Sequence, residues 1–273
     1  MLAAPRSFAG QVTSNLPATP STSTFGTRAT GSSTINTKGS WSQVTAALPH
    51  DAYGFWLTMA GTATSATSTD GLLDIGIGTG GSEVVLVPDL LAGWLGSPTQ
   101  GPRTLFIPIF IPKGTRVAIR NQGVIASDTV DCMFHFVSGN PSMRGNLFSG
   151  CDAYGVNSSG ASAGTAHTPG NTGAESTWGN LGSTASKSYG AILPLIQVGT
   201  VTTLTAIAYH WELGIGSVTL AEWYFMGNTG EYINGPYPAE PAAVNIASGA
   251  QLQVRAEASG TAIAFDVAAY CFY

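Results

Sequence analysis

The stretch "GSWSQV" at residues 39–44 returns as "STWGNL" at 176–181, and four further blocks return in the same order. "YGFWL" from Tyr53 matches "YGAIL" from Tyr189, and "LLDIGIG" from Leu72 matches "HWELGIG" from His210. "IFIPKGTRVAIR" from Ile109 matches "VNIASGAQLQVR" from Val244, and "VDCMFHFVS" from Val130 matches "FDVAAYCFY" from Phe265. Trp41 stands opposite Trp178, Asp74 opposite Glu212, Gly114 opposite Gly249, Arg120 opposite Arg255, and Asp131 opposite Asp266. Five ordered matches at nearly constant separation mark a tandem duplication, so the chain folds one pattern twice.

The repeated blocks have the period of strands. In "TRVAIR", Val117 and Ile119 point one way while Arg116, Ala118 and Arg120 point the other; Leu252 and Val254 alternate likewise in the copy. Pro108 and Pro112 confine "LFIPIFIP" to a sheet edge or a strand end. The closing "TAIAFDVAAYCFY" is almost wholly apolar, as expected of a strand covered on both faces. No long helical period occurs, and "PDLLAGWLG" is expected to form one short helical turn at most. The expected fold is all-β: two tandem β-sandwich, jelly-roll-like domains at 25–138 and 164–273. A linker at 139–163 joins them, and residues 1–24 form an extended N-terminal arm too poor in apolar residues to bury a core of its own.

Composition removes several function classes. Lys and Arg number 10 against 15 Asp and Glu, a net charge of −5, so the basic footprint of a nucleic-acid binder is absent. Charged residues make up only 9%, against about 25% in ordinary soluble domains. Short hydroxylated side chains replace them, which suits turn-rich β structure and packing within an assembly. No segment has the roughly 20 apolar residues of a membrane helix. Pro5 and Arg6 interrupt any apolar signal core, so synthesis in the cytosol is expected. Cys132, Cys151 and Cys271 are an odd set without C-x-x-C spacing and are expected to be buried thiols.

Gly76, Gly78 and Gly81 spell G-x-G-x-x-G after a strand-like run. A pyrophosphate site needs a helix to open at the third glycine. Here β-branched "EVVLVP" follows instead, and the copy places Thr219 opposite Gly81. The stretch is therefore expected to be a glycine-containing strand, and no cofactor is expected. His50, His135, His167 and His210 are not spaced as metal-ligand pairs, so no metal is expected either. His210 and Glu212 do share a strand face and could hold a metal or exchange protons. Only the carboxylate recurs, as Asp74, so bracing the same loop in both units is the expected role. No nucleophile elbow is present, acidic residues are scattered singly, and no catalytic residue is expected. Lys113, Arg116 and Arg120 form the densest basic cluster and are candidate subunit contacts. Trp56, Trp94, Trp223 and Tyr232 are candidate aromatics for stacking on sugar rings, whereas the recurring Trp41 and Trp178 are expected in the core.

The blocks "LLDIGIGTGGSEVVLVPDLL" and "IPIFIPKGTRVAIRNQ" resemble stretches of structural proteins of tailed bacteriophages. The resemblance covers most of the first unit and more faintly the second. It implies a non-enzymatic virion component, first of all a capsid decoration or cement protein that contacts major capsid, neck or tail subunits and forms homo-oligomers. The alternatives are a neck, tail or fibre accessory, or a carbohydrate-binding adhesin module acting through loop aromatics.

Overall fold

The computed structural model describes residues 12–15, 26–61, 71–92, 103–138, 147–159, 163–197, 207–228, 231–234, 240–260 and 264–273. Among them there is no helix. The first unit contains β1 (Val12–Ser14), β2 (Thr27–Thr30), β3 (Ser42–Thr45), β4 (Phe55–Gly61), β5 (Gly71–Ile77), β6 (Val84–Leu91), β7 (Arg103–Ile107), β8 (Val117–Gly123) and β9 (Thr129–Val137). The second contains β10 (Cys151–Tyr154), β11 (Thr165–His167), β12 (Gly179–Asn180), β13 (Tyr189–Gln197), β14 (Ile207–Ile215), β15 (Val218–Asn228), β16 (Glu231–Asn234), β17 (Ala242–Ile246), β18 (Leu252–Ala258) and β19 (Phe265–Phe272).

Strand order makes each unit a jelly roll. In the first, one sheet runs β2-β9-β4-β7 and the facing sheet β3-β8-β5-β6. In the second, the same path gives β11-β19-β13-β17 and β12-β18-β14-β15, with β16 added at the edge. The eight strands thus pass between the two sheets in the same order twice, with one hairpin kept within a sheet (β5–β6 and β14–β15), which is the duplication expressed as topology. Each core forms where the two inner faces meet. Phe55, Leu57, Phe134 and Phe136 face Ile75, Val117 and Ile119 in the first; Ile192, Ile196, Val267 and Cys271 share the second core with Trp211, Leu213 and Val254.

Two segments outside the expected domain boundaries join these sheets. Cys151–Tyr154, within the expected linker, is β10 and pairs with the last residues of β19. Val12–Ser14, within the expected arm, pairs with the corresponding end of β9; the rest of the arm lies outside the described residues. Strands of three or four residues are too short to show a period. The expected helical turn at Pro88 is instead the end of β6, which runs through Leu91.

The units pack on one another through β19. All eight of its residues are buried. One face, including Val267, Ala269 and Cys271, fills the second core. The other, with Ala268, Tyr270 and Phe272, joins a cluster with Leu86, Leu90 and Leu91 of the first unit. Complete burial of an aromatic or branched side chain stabilises by about 1.5–3 kcal/mol, so this second covered face is a substantial share of the fold's stability. Two side-chain hydrogen bonds also cross the junction: Gln122 Nε2 donates to the Ser158 carbonyl at 2.6 Å, and Arg103 donates to the Ile196 carbonyl at 3.0 Å. All three cysteines are free and buried.

Candidate functional site

The glycine motif has a packing explanation. Trp41 lies across Gly76, where an added Cβ would stand 2.6 Å from the indole; Trp178 lies across Gly214 with the same clearance. Gly78 and Gly81 have φ of +112° and +84° and shape the turn between β5 and β6. Trp41 and Trp178 are therefore not core residues as expected. They are half-buried on the outer face of each second sheet, clamped between a glycine and a guanidinium. Arg120 stands 4.6 Å over Trp41, and Arg255 stands 4.6 Å over Trp178.

Each arginine also holds the duplicated carboxylate. Arg120 Nε donates to Asp74 at 2.7 Å, and Arg255 donates to Glu212 at 3.0–3.2 Å. In the first unit Lys38 completes the charge balance, with Nζ 2.8 Å from Asp74 and 2.6 Å from Asp89. Asp89, in the left-handed region at φ +48°, donates its backbone N–H to Asp74 at 2.8 Å. Two carboxylates there face two cations. The expected bracing role of Asp74 and Glu212 thus has a definite form, a tryptophan–arginine–carboxylate clamp repeated in both units.

The second unit departs from this balance. Glu175 occupies the place that Lys38 holds in the first copy, again 137 residues on. Its carboxylate lies 2.5 Å from Arg255. A hydrogen bond with Glu212 pushes the Glu175 carboxyl above its ordinary 4.5, with burial and the Glu212 charge adding to it. Burial acts upward on Glu212 too, but hydrogen bonds from Thr219, Glu175 and Arg255 outweigh it and hold that carboxyl low. Both carboxylates are paired with Arg255. Acidic residues that look scattered in sequence converge here, through a loop carboxylate that no strand periodicity could place. The repeat alignment holds the clue, a charge reversal at an otherwise matched position.

Beside this pair runs a row of three cross-strand neighbours. His210 on β14 is opposite Tyr224 on β15 and Glu257 on β18. The Tyr224 ring is 61% exposed and lies almost parallel to the imidazole, centroids 4.6 Å apart. His210 Nε2 is 3.3 Å from Glu222, and Nδ1 is 3.9 Å from Glu257. With Ser259 and Thr172 these residues line a groove of about 290 Å³. The corresponding row of the first unit is Leu91, Leu72 and Gln122, all buried, with Gln122 tied to Ser158 of the second unit. Matching rows thus differ in kind: the one in the first unit is covered, and the one in the second is aromatic, charged and open.

The remaining candidates separate. Arg116 is bound within the chain, 2.6 Å from Glu83, as Arg120 is to Asp74. Lys113 is exposed, its backbone N–H donating to Asp51 at 2.8 Å. Trp223 packs against the buried Trp211, centroids 4.9 Å apart, and Trp56 against Phe106 at 5.1 Å. Trp94 lies outside the described residues; Tyr232 lies on β16, where the backbone alone is described. The exposed Tyr224 escapes sequence reasoning because an aromatic in a strand gives no indication of which face it takes. A second concavity, about 520 Å³ at the junction of the units, includes Asp89 and Asp152, each already paired with a lysine.

No family model and no curated protein matches the chain. Among solved structures it is similar to PNGF-II, with a TM-score of 0.42 and 7% identity, over 96% of this chain and 64% of that one. It thus spans about two thirds of that protein's length. It is also similar to the CBM22-1-CBM22-2 tandem domain of Paenibacillus barcinonensis Xyn10C, with a TM-score of 0.27 and 12% identity, over 97% and 92% of the two chains. Likenesses of this size carry no argument about activity, and the jelly-roll assignment stands on the chain's own strand order: the molecule is an all-β protein of two duplicated jelly rolls.

Proposed function

We propose that the chain is a non-catalytic surface component of a tailed-phage particle whose second jelly roll binds carbohydrate on its open sheet face. The observation that carries the binding reading is the Tyr224–His210–Glu257 row, set against its covered counterpart Leu91–Leu72–Gln122. A pyranose offers an apolar face of C–H groups and a rim of hydroxyls. The exposed Tyr224 ring suits the first, and the carboxylates of Glu222 and Glu257 accept from the second. Low charge and the phage-like blocks of the first unit support placement on a virion, in contact with other particle proteins. Subunit contact is a second reading, favoured by Val84 and Val218. Both are 68% exposed and sit at matching hairpins of the two units.

A glycan array probed with the full chain and with Tyr224→Ala tests the binding role. Sugar binding that falls at least about tenfold in the variant, a loss of about 1.4 kcal/mol, is the expected result. No bound glycan, or equal binding by both proteins, overturns it.

A further inference from the structure

We propose that Glu175, His210 and Glu212 form a binding site for a first-row divalent cation, Zn²⁺ or Mn²⁺ in class, present in the second jelly roll only. The ligand atoms of the three residues all lie within 4.8 Å of one another, close enough to share one ion. One imidazole with two carboxylates suits these metals better than Ca²⁺, which takes six to eight oxygens.

The other half of the molecule supplies independent support. In the first unit the corresponding carboxylate, Asp74, already holds a cation: the Lys38 ammonium, 2.8 Å away and shared with Asp89. The duplication replaces that lysine by Glu175 and the neighbouring Leu72 by His210. One of the two built-in cations is thereby absent, Arg255 being the one that remains, and two metal-ligand types appear at the positions around it. The surrounding charge shifts the same way. Glu175, Glu212, Glu222 and Glu257 gather around His210 with Arg255 as the only fixed cation among these residues, whereas Asp74 and Asp89 are balanced by Lys38 and Arg120. Arg255 donates to both Glu212 oxygens and pairs with Glu175, and Thr219 donates to Glu212, so both carboxylates are held in place by hydrogen-bonded neighbours of the kind that orient metal-bound carboxylates. The proposal does not rest on the carbohydrate reading, since its test uses no sugar.

The test is isothermal titration calorimetry of the metal-stripped full chain with ZnCl₂ and with MnCl₂, run beside Glu175→Gln, Glu175→Lys and Asp74→Asn. Glu175 is exposed, so its variants should keep the native circular dichroism spectrum. Saturable binding at one ion per chain is expected for the parent and for Asp74→Asn, weakened on the order of tenfold or more in Glu175→Gln. Glu175→Lys recreates the arrangement of the first unit and should abolish binding while keeping or raising the metal-free melting temperature. Absence of saturable binding by the parent, or a Glu175→Gln chain that binds as the parent does, overturns the proposal. A Glu175→Lys chain that still binds one ion does so as well.

Discussion

Tyr270 of the second jelly roll accepts a hydrogen bond from the backbone N–H of Leu91 in the first, at 2.7 Å and in full burial. The same hydroxyl donates to the Asp89 carbonyl, also at 2.7 Å. One side chain therefore satisfies two groups on the free edge of β6. Those groups would otherwise be buried without partners or left open as a template for another strand.

Replacing Tyr270 by Phe keeps the ring and strands both backbone groups. Each unsatisfied buried group costs about 1–3 kcal/mol, so a total loss of about 2–6 kcal/mol is expected. Urea unfolding followed by tryptophan fluorescence measures it. A loss below about 0.5 kcal/mol would show that water reaches β6 and that the junction is looser than described.

The tryptophan clamps predict a cost for the smallest side chain. Gly76→Ala or Gly214→Ala puts a methyl group into an indole, and such overpacking typically costs about 1–3 kcal/mol. Gly214 should be the more sensitive, because its Cβ would also meet the Val218 carbonyl at 2.6 Å. Each variant should also shift the emission of its own tryptophan as the arginine above it is displaced. Unchanged emission and stability in both variants would mean that the indoles do not rest on these glycines.

Asp152 sets part of the acid limit. Burial acts to raise its carboxyl, but hydrogen bonds from Tyr189 and Lys187 outweigh this and hold it below the ordinary 3.8. A carboxylate with a lowered value stabilises the fold above its unfolded value, and that contribution is lost as pH falls through the lowered one. Asp152→Asn should therefore be less stable than the parent at pH 7, and the gap should close below about pH 3.8. Urea midpoints at several pH values measure the gap, and a difference that stays constant down to pH 2 would contradict the assignment.

Much of the architecture is legible in the amino acids, because a duplicated pattern reports twice on the same strands. The apolar run of β19 announces its two covered faces. What sequence leaves out is which side of a sheet an aromatic takes and what crosses it. Trp41 and Trp178 look like core residues because they recur, yet they recur to cover glycines on the outer faces. Glu175 carries no strand period, and its meeting with Glu212 and His210 depends on how its loop runs along β18. The short β1 and β10 hide for a simpler reason: three or four residues are too few to show a period.

The doubly covered β19 makes the halves inseparable. A fragment holding the second roll alone would present Tyr270, Phe272 and their neighbours to water as a sticky sheet. The first roll alone would bare the edge of β6. Gene duplication made two copies, but burial has since fused them into one heritable piece that recombination cannot shuffle as independent modules.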